Sequence, residues 1–322
     1  MIRALAITTL VFATPAVAKS PLLSLPIDCT LGETCYIQHF VDNDPFDSKR
    51  DFNCGKTTYD GHKGVDFALP SLKAMDAGVD VIASAPGTVV GVREGVADVI
   101  YSKENAADVD GIECGNGVVI SHGAGWVTQY CHLKKDSIIV KKGQRVAMGA
   151  VLGEVGLSGK TQFPHVHLSV RHRNTVIDPF DPKSGDTCGL EANEKDLWLD
   201  TPDYEPGGVI SLGFATEVPK YQTVKDGTAS NPDITVTSPA LVLWGYGHMA
   251  LKDDVFTLTL DGPDGPFVDQ TLVIERNRAL FFRATGRKNS TGTFKAGTYT
   301  GTVELTRDGT VIDRRTITRT LR

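Results

Sequence analysis

The sequence is short of positive charge, of aromatic residues and of long apolar runs, and each shortage excludes something. Its 33 Lys and Arg stand against 39 Asp and Glu, a formal charge of −6. There is no basic footprint for nucleic acid or for an anionic membrane surface. Beyond residue 18 no stretch approaches the roughly 20 apolar residues that a membrane-crossing helix needs. Within 19–190 no segment carries a convincing 3.6-residue apolar stripe. Aromatic residues make up only 7%, whereas Gly 33 and Pro 16 supply many turns, a balance that suits a β-rich chain. No Cys-x-x-Cys pair is present to mark a thiolate metal site. The chain is long enough for two domains, and 41% hydrophobic against 22% charged residues excludes wholesale disorder.

What is present begins at the amino terminus. Met1-Ile2-Arg3 carries one positive charge, Ala4 to Ala13 is apolar, and Thr14-Pro15 breaks the run ahead of Ala16-Val17-Ala18, a small-residue cleavage signature. Residues 1–18 therefore read as a signal peptide, and the protein is expected to be exported, periplasmic or secreted, with no membrane span. Export changes the meaning of the six cysteines, which in an oxidising compartment read as disulfides. Gly117–Ile120 and Trp126–Tyr130 look like two strands of a hairpin. With a two-residue loop at His122-Gly123, Cys114 and Cys131 would stand opposite each other, and a Cys114–Cys131 bridge is expected. Cys29–Cys35 would be a natural short loop, but the pairing of Cys29, Cys35, Cys54 and Cys188 stays open.

The chain divides in character. Seven of the eight histidines and all six cysteines lie in 19–190. The stretch 191–207 is acidic and rich in Pro and Gly, and reads as a linker. Over 208–322 short alternating runs are separated by turn signals, such as Val255–Leu260 before Asp261–Gly265. Thr298–Thr306 and Val311–Ile317 flank Asp308-Gly309, a hairpin signature. This spacing predicts an immunoglobulin-like β-sandwich, without clustered titratable groups. The first domain, with glycine-punctuated runs at 79–92 and 138–153, is also expected to be mostly β.

Three elements of the first domain carry chemistry. Pro164–Val170 alternates, placing His165, His167 and Ser169 on one face and Val166, Leu168 and Val170 on the other. Two imidazoles on one face of a strand suit a metal and a proton-transfer group sharing a cavity, although such a pattern alone is more often a polar strand face. His62 and Asp66, with Gly64 between them, offer a nitrogen and a carboxylate, a partial set for zinc; alone, that spacing is common in surface loops. On Trp126–Leu133, strict alternation puts Thr128, Tyr130 and His132 together, opposite Cys131. Its plain alternative is a half-buried hairpin.

The ordered set H-x-x-x-D, then N-G-V-V-I-S-H…W-V-T-Q-Y-C-H-L, then G-x-S-G followed by P-H-V-H, resembles the lysostaphin-type (LytM-like) zinc metallopeptidases. The resemblance runs from about His62 to Asp178-Pro179 and does not touch 208–322. It implies a LytM-like β-sheet metallopeptidase domain with zinc ligands His62, Asp66 and His167 and catalytic histidines His132 and His165. Three protein ligands would leave a fourth position for water, with the two histidines handling protons and the oxyanion. The implied substrate is peptide stems or cross-links of bacterial peptidoglycan. Tyr59 could supply a hydroxyl, and Ser158, in Gly156-Leu157-Ser158-Gly159, is a substrate-groove candidate. His39, His122 and His172 match nothing and read as surface or supporting groups. Pro70–Gly78 and Ser102–Glu113 depart from the usual pattern and could wall the groove, and residues 19–50 could cover it. The alternative reading is a non-catalytic LytM-like regulator of other wall hydrolases, which is disfavoured by five filled positions. A wall-binding protein led by the sandwich domain is a third.

Overall fold

The computed structural model describes residues 20–183, 189, 195–231 and 233–322. The signal-peptide reading, part of the 191–207 stretch and Cys188 lie outside the described residues. The first half runs β1 (Tyr36–His39), β2 (Val65–Ala68), α1 (Leu72–Asp76), β3 (Asp80–Ile82), β4 (Gly87–Arg93), α2 (Ala106–Val109), β5 (Asn116–Gly123), β6 (Trp126–Leu133), β7 (Arg145–Val146), β8 (Val151–Glu154), β9 (His165–His172) and β10 (Thr175–Ile177). The main sheet has the order β1-β2-β9-β6-β5-β4-β7, with β10 on β9, and β3 pairs β8 separately. All of these pairs are antiparallel.

Alternation gives the main sheet two unlike faces. Val65 lies opposite Leu168 and Phe67 opposite Val166, and these side chains join Tyr130, Ile120, Val81 and Leu152 in one buried cluster. The other face carries a polar row across four strands: His39 opposite Asp66, Asp66 opposite His167, His167 opposite Cys131. Apolar burial on the first face, at roughly 1.5–3 kcal/mol per fully buried large side chain, is what holds the row of the second in register.

The second half runs β11 (Gly208–Ala215), α3 (Tyr221–Asp226), β12 (Ala240–Ala250), β13 (Val255–Gly262), β14 (Gly265–Val273), β15 (Arg278–Lys288), β16 (Gly297–Arg307) and β17 (Thr310–Leu321). A three-stranded sheet, β11-β12-β15, faces a four-stranded one, β14-β13-β16-β17. Phe214, Leu241, Leu243 and Phe281 of the first share one core with Phe256, Leu258, Val303 and Leu305 of the second. The result is a two-sheet sandwich. Arg307 pairs with Thr310 across Asp308-Gly309, both at positive φ (49° and 78°), the two-residue turn that the dipeptide favours.

Two expectations need correction. The β5–β6 hairpin turns at Ala124-Gly125, not at His122-Gly123, because Gly123 pairs with Trp126. The Cys114–Cys131 disulfide nevertheless forms, Cα atoms 4.8 Å apart, together with Cys29–Cys35, because the chain ahead of β5 bends at Gly115 (φ 62°) and sets the Cys114 carbonyl against His132 N. Residues 195–207 are not a free tether. Leu197 and Trp198 are buried in the first core, Tyr204 Oη donates to Asp51, and the Pro206 carbonyl accepts from Thr57 and from Arg307. The segment is polar on average but holds apolar anchors, and burial follows the anchors. Tyr36 and Ala68 of the main sheet share a third buried cluster with Ile210, Trp244 and Tyr246, so the two halves are packed together.

Candidate metal centre

The site grows from β2, β9 and the loop before β2. Asp66 and His167 face each other on paired strands, and the loop turns His62 in beside them. His62 Nε2 lies 3.1 Å from Asp66 Oδ1 and 3.1 Å from His167 Nδ1, and His167 Nδ1 lies 2.8 Å from Asp66 Oδ1. Among the described residues this is the one trio of potential ligand atoms gathered closely enough to hold a metal ion.

Hydrogen bonding behind the rings decides which nitrogens face inward. His62 Nδ1 donates to the Phe40 carbonyl at 2.7 Å, His132 Nδ1 to the Ser158 carbonyl at 2.8 Å, and His165 Nδ1 to the Phe163 carbonyl at 2.9 Å. A carbonyl only accepts, so each of these nitrogens carries a proton, which in the neutral tautomer leaves Nε2 bare; the Nε2 atoms of His62 and His165 lie 3.1 and 3.4 Å from Asp66 Oδ1. Lone pairs of His62 and Asp66 therefore meet at about hydrogen-bond distance with no proton assigned between them. Such a convergence calls for a cation. Tetrahedral zinc with ligands at about 2.0–2.1 Å sets donor atoms a little over 3 Å apart, and the three measured separations sit just inside that value. Two imidazoles and one carboxylate fit zinc by donor chemistry as well.

Charge in the trio is lopsided. Burial alone would raise the Asp66 carboxyl, but the imidazoles of His62, His165 and His167 gathered around it outweigh burial and hold it well below the usual carboxylate range. Burial opposes protonation of His62, yet the Asp66 charge wins and raises that imidazole. His167 is lowered by burial, against a weaker pull from Asp66. Burial, then the neighbouring His165 and His167, pushes His132 well below the ordinary histidine value.

His132 reaches the site by an unexpected route. Tyr130 pairs with Leu168 and Cys131 with His167, so Tyr130 and Thr128 belong to the core side and Cys131 to the site side. Alternation would bury His132 with Tyr130. Instead its backbone adopts φ 64°, a left-handed conformation that a non-glycine residue pays for in strain, and this redirects the ring. The neighbourhood holds the strain in place. His132 N donates to the Cys114 carbonyl, Gly156 N donates to the His132 carbonyl, and the Cys114–Cys131 bridge fastens the residue before it. The His132 and His165 rings then lie 4.6 Å apart, centroid to centroid.

All five of the histidine and aspartate positions singled out in the sequence converge here. Tyr59 stands beside them, 48% exposed, its ring 4.4 Å from that of His62. Ser158 does not present its hydroxyl to a groove. It is fully buried, accepts from Asn116 N and donates to the Leu133 carbonyl, so its service is the backbone carbonyl that orients His132. His39, passed over in the sequence, is in the site. Its Nδ1 lies 3.0 Å from Asp66 Oδ2. Only its place one strand beyond Asp66 reveals it, and sequence spacing carries no sign of that. Pro70–Gly78 contains α1, capped by Ser71 Oγ accepting from Ala74 N, and residues 36–39 enter the main sheet as its edge strand.

The family model described as Peptidase family M23 matches residues 60–179, the span that holds every residue of the centre except His39 and Tyr59. Peptidoglycan DD-endopeptidase ShyB of Vibrio cholerae is 33% identical over 138 residues, 43% of this chain and 27% of that one. Peptidoglycan DD-endopeptidase ShyA of the same organism is 38% identical over 117 residues, 36% of this chain and 22% of the relative. The chain thus spans less than a third of the length of these relatives. Among solved structures, a zinc containing peptidase from Vibrio cholerae superposes with a TM-score of 0.29 at 28% identity, over 45% of this chain and 39% of that one.

Proposed function

Since residues 60–179 form a domain of peptidase family M23, a metallopeptidase family, we propose that the protein is an exported zinc endopeptidase that hydrolyses peptide bonds of bacterial peptidoglycan. The observation that carries this reading is the convergence of His62, Asp66 and His167 with two further imidazoles, His132 and His165, whose rings lie 4.6 Å apart, that of His132 6.2 Å from that of His167. The substrate is drawn from relatives named as peptidoglycan endopeptidases. Export is drawn from the amino-terminal sequence.

His62, Asp66 and His167 would hold the ion, which when bound supplies Lewis-acid polarisation of a carbonyl and acidifies water. The chain's own contribution is proton handling and orientation. His132, kept neutral by burial, can accept a proton at Nε2 while its Nδ1 stays fixed on the Ser158 carbonyl. His165 offers a second Nε2, anchored the same way through Phe163. Protonated, either ring donates to a leaving amine or to negative charge developing on a carbonyl oxygen. Asp66 stays ionised and gives the ligand set one negative charge.

Incubation of purified wall sacculi with zinc-loaded protein, followed by chromatography of released muropeptides, tests the reading. New fragments are expected from the wild type, and their yield is expected to fall about 10²–10⁴-fold for His132→Ala with zinc content retained. Release by His132→Ala and His167→Ala equal to that of the wild type would refute it.

A further inference from the structure

The first strand of the main sheet contains an irregularity that aims at the metal centre. Tyr36 pairs with Ala68 and Ile37 with Phe67, so regular pairing would set Gln38 opposite Asp66. The register slips between Ile37 and His39, and His39 takes that place. A bulge inserts one residue and re-aims the next side chain. The displaced Gln38 turns away and donates from Nε2 to the Ala279 carbonyl of the sandwich, 3.1 Å away.

His39 is buried, 7% exposed, and its ring is walled by Tyr59 at 5.1 Å, His62 at 5.7 Å and Phe163 at 6.1 Å. Its Nδ1 meets Asp66 Oδ2 at 3.0 Å. An ionised carboxylate oxygen only accepts, so Nδ1 carries the proton and donates. The other oxygen, Oδ1, faces His62 and His167, and also His165 Nε2 at 3.4 Å. The two oxygens are thereby divided. Oδ2 is spent on His39 and Oδ1 is left for the ion.

We propose that His39 is a positioning residue for the metal centre: by holding Asp66 Oδ2 it makes the aspartate a one-oxygen ligand and fixes the direction of Oδ1. This rests on the zinc reading of the trio but not on which bond the enzyme cuts. Partners behind a metal ligand set its orientation and basicity, and their loss typically weakens metal binding about 10–100-fold.

The test is the zinc dissociation constant, measured by competition with a chromophoric chelator on the full-length protein, with circular dichroism in EDTA to confirm folding. His39→Leu removes the donor and keeps bulk. His39→Asn places an amide nitrogen close to the lost Nδ1. The expected result is binding about 10–100-fold weaker for His39→Leu and largely restored by His39→Asn. Should His39→Leu fail to fold, His39→Gln, whose amide lies one carbon further out, is expected to bind weakly where His39→Asn binds well. Wild-type affinity in His39→Leu, or equal weakness in the Asn and Gln variants, overturns the proposal while leaving the zinc centre standing. A wild type that takes up no zinc overturns the centre itself and the proposal with it.

Discussion

Consider adding one methyl group behind a metal ligand. Gly64 lies between His62 and Asp66, and a Cβ built there would stand 2.5 Å from His167 Nε2, 2.6 Å from its Cε1 and 2.6 Å from the Leu168 carbonyl oxygen. The carbonyl belongs to β9 and is held in the sheet. Ordinary contact begins at 3.4 Å, so relief requires the His167 ring to move by about 1 Å, several times the ~0.2 Å within which metal-ligand distances are held. Gly64→Ala should therefore weaken zinc binding by at least about 100-fold, or roughly 2.7 kcal/mol. Overpacking should add a loss of folding stability of about 1–3 kcal/mol. Zinc affinity by chelator competition and urea unfolding in EDTA read the two effects separately. Gly91→Ala on β4 is the control, because its Cβ would meet Val119 at an ordinary 3.5 Å, and it should leave zinc affinity unchanged. If Gly64→Ala binds zinc within threefold of the wild type, then His167 is not held against Gly64 and the reasoning fails.

Three further outcomes are expected. Replacing Cys114 and Cys131 together by serine opens a bridge between residues 17 apart. It should cost about 3 kcal/mol of stability in urea unfolding and lower kcat more than KM, because the strained His132 loses its anchor; a kcat equal to that of the wild type would separate the bridge from the site. Burial, followed by the charges of Arg315, His39 and Arg307, lowers His248 to about 3. The unfolded chain therefore binds a proton near pH 6.5 that the folded chain refuses, and stability is lost as pH falls below that value. Relative to His248→Gln, zinc-free wild type should lose about 1.4 kcal/mol more per pH unit between pH 6 and pH 5, and parallel urea curves for the two proteins would contradict this. Arg307 donates to both oxygens of buried Asp254 and to the carbonyls of Pro206 and Met249. Arg307→Ala should therefore destabilise the sandwich by about 3–5 kcal/mol, visible as a lowered unfolding midpoint.

The candidate metal ligands were legible because their chemistry is local. His165 and His167 are two apart on one strand, a spacing that alternation keeps on one face, and His62 stands only four residues from Asp66, in the loop that leads into β2. The Asp308-Gly309 hairpin was legible for the same reason, since two residues at positive φ must form that turn. Cysteine pairing was only partly so. A turn at His122-Gly123 pairs Cys114 with Cys131, but the hairpin turns two residues later, and the bend at Gly115 ahead of β5 is what brings the two cysteines together.

Composition and strand period by themselves determined a β-rich chain and a second region of short alternating strands, and the resemblance carried by motif order singled out five residues for a candidate zinc site. Those features depend on residue type and near neighbours along the chain. Tertiary structure alone decided that His132 leaves the alternation of β6 by a left-handed backbone, that Ser158 serves through its carbonyl, and that His39 stands behind Asp66. Each of these turns on a contact between residues more than twenty positions apart, or on a backbone angle held by such contacts. No periodicity encodes them, because the energy that fixes them comes from packing the sheet as a whole.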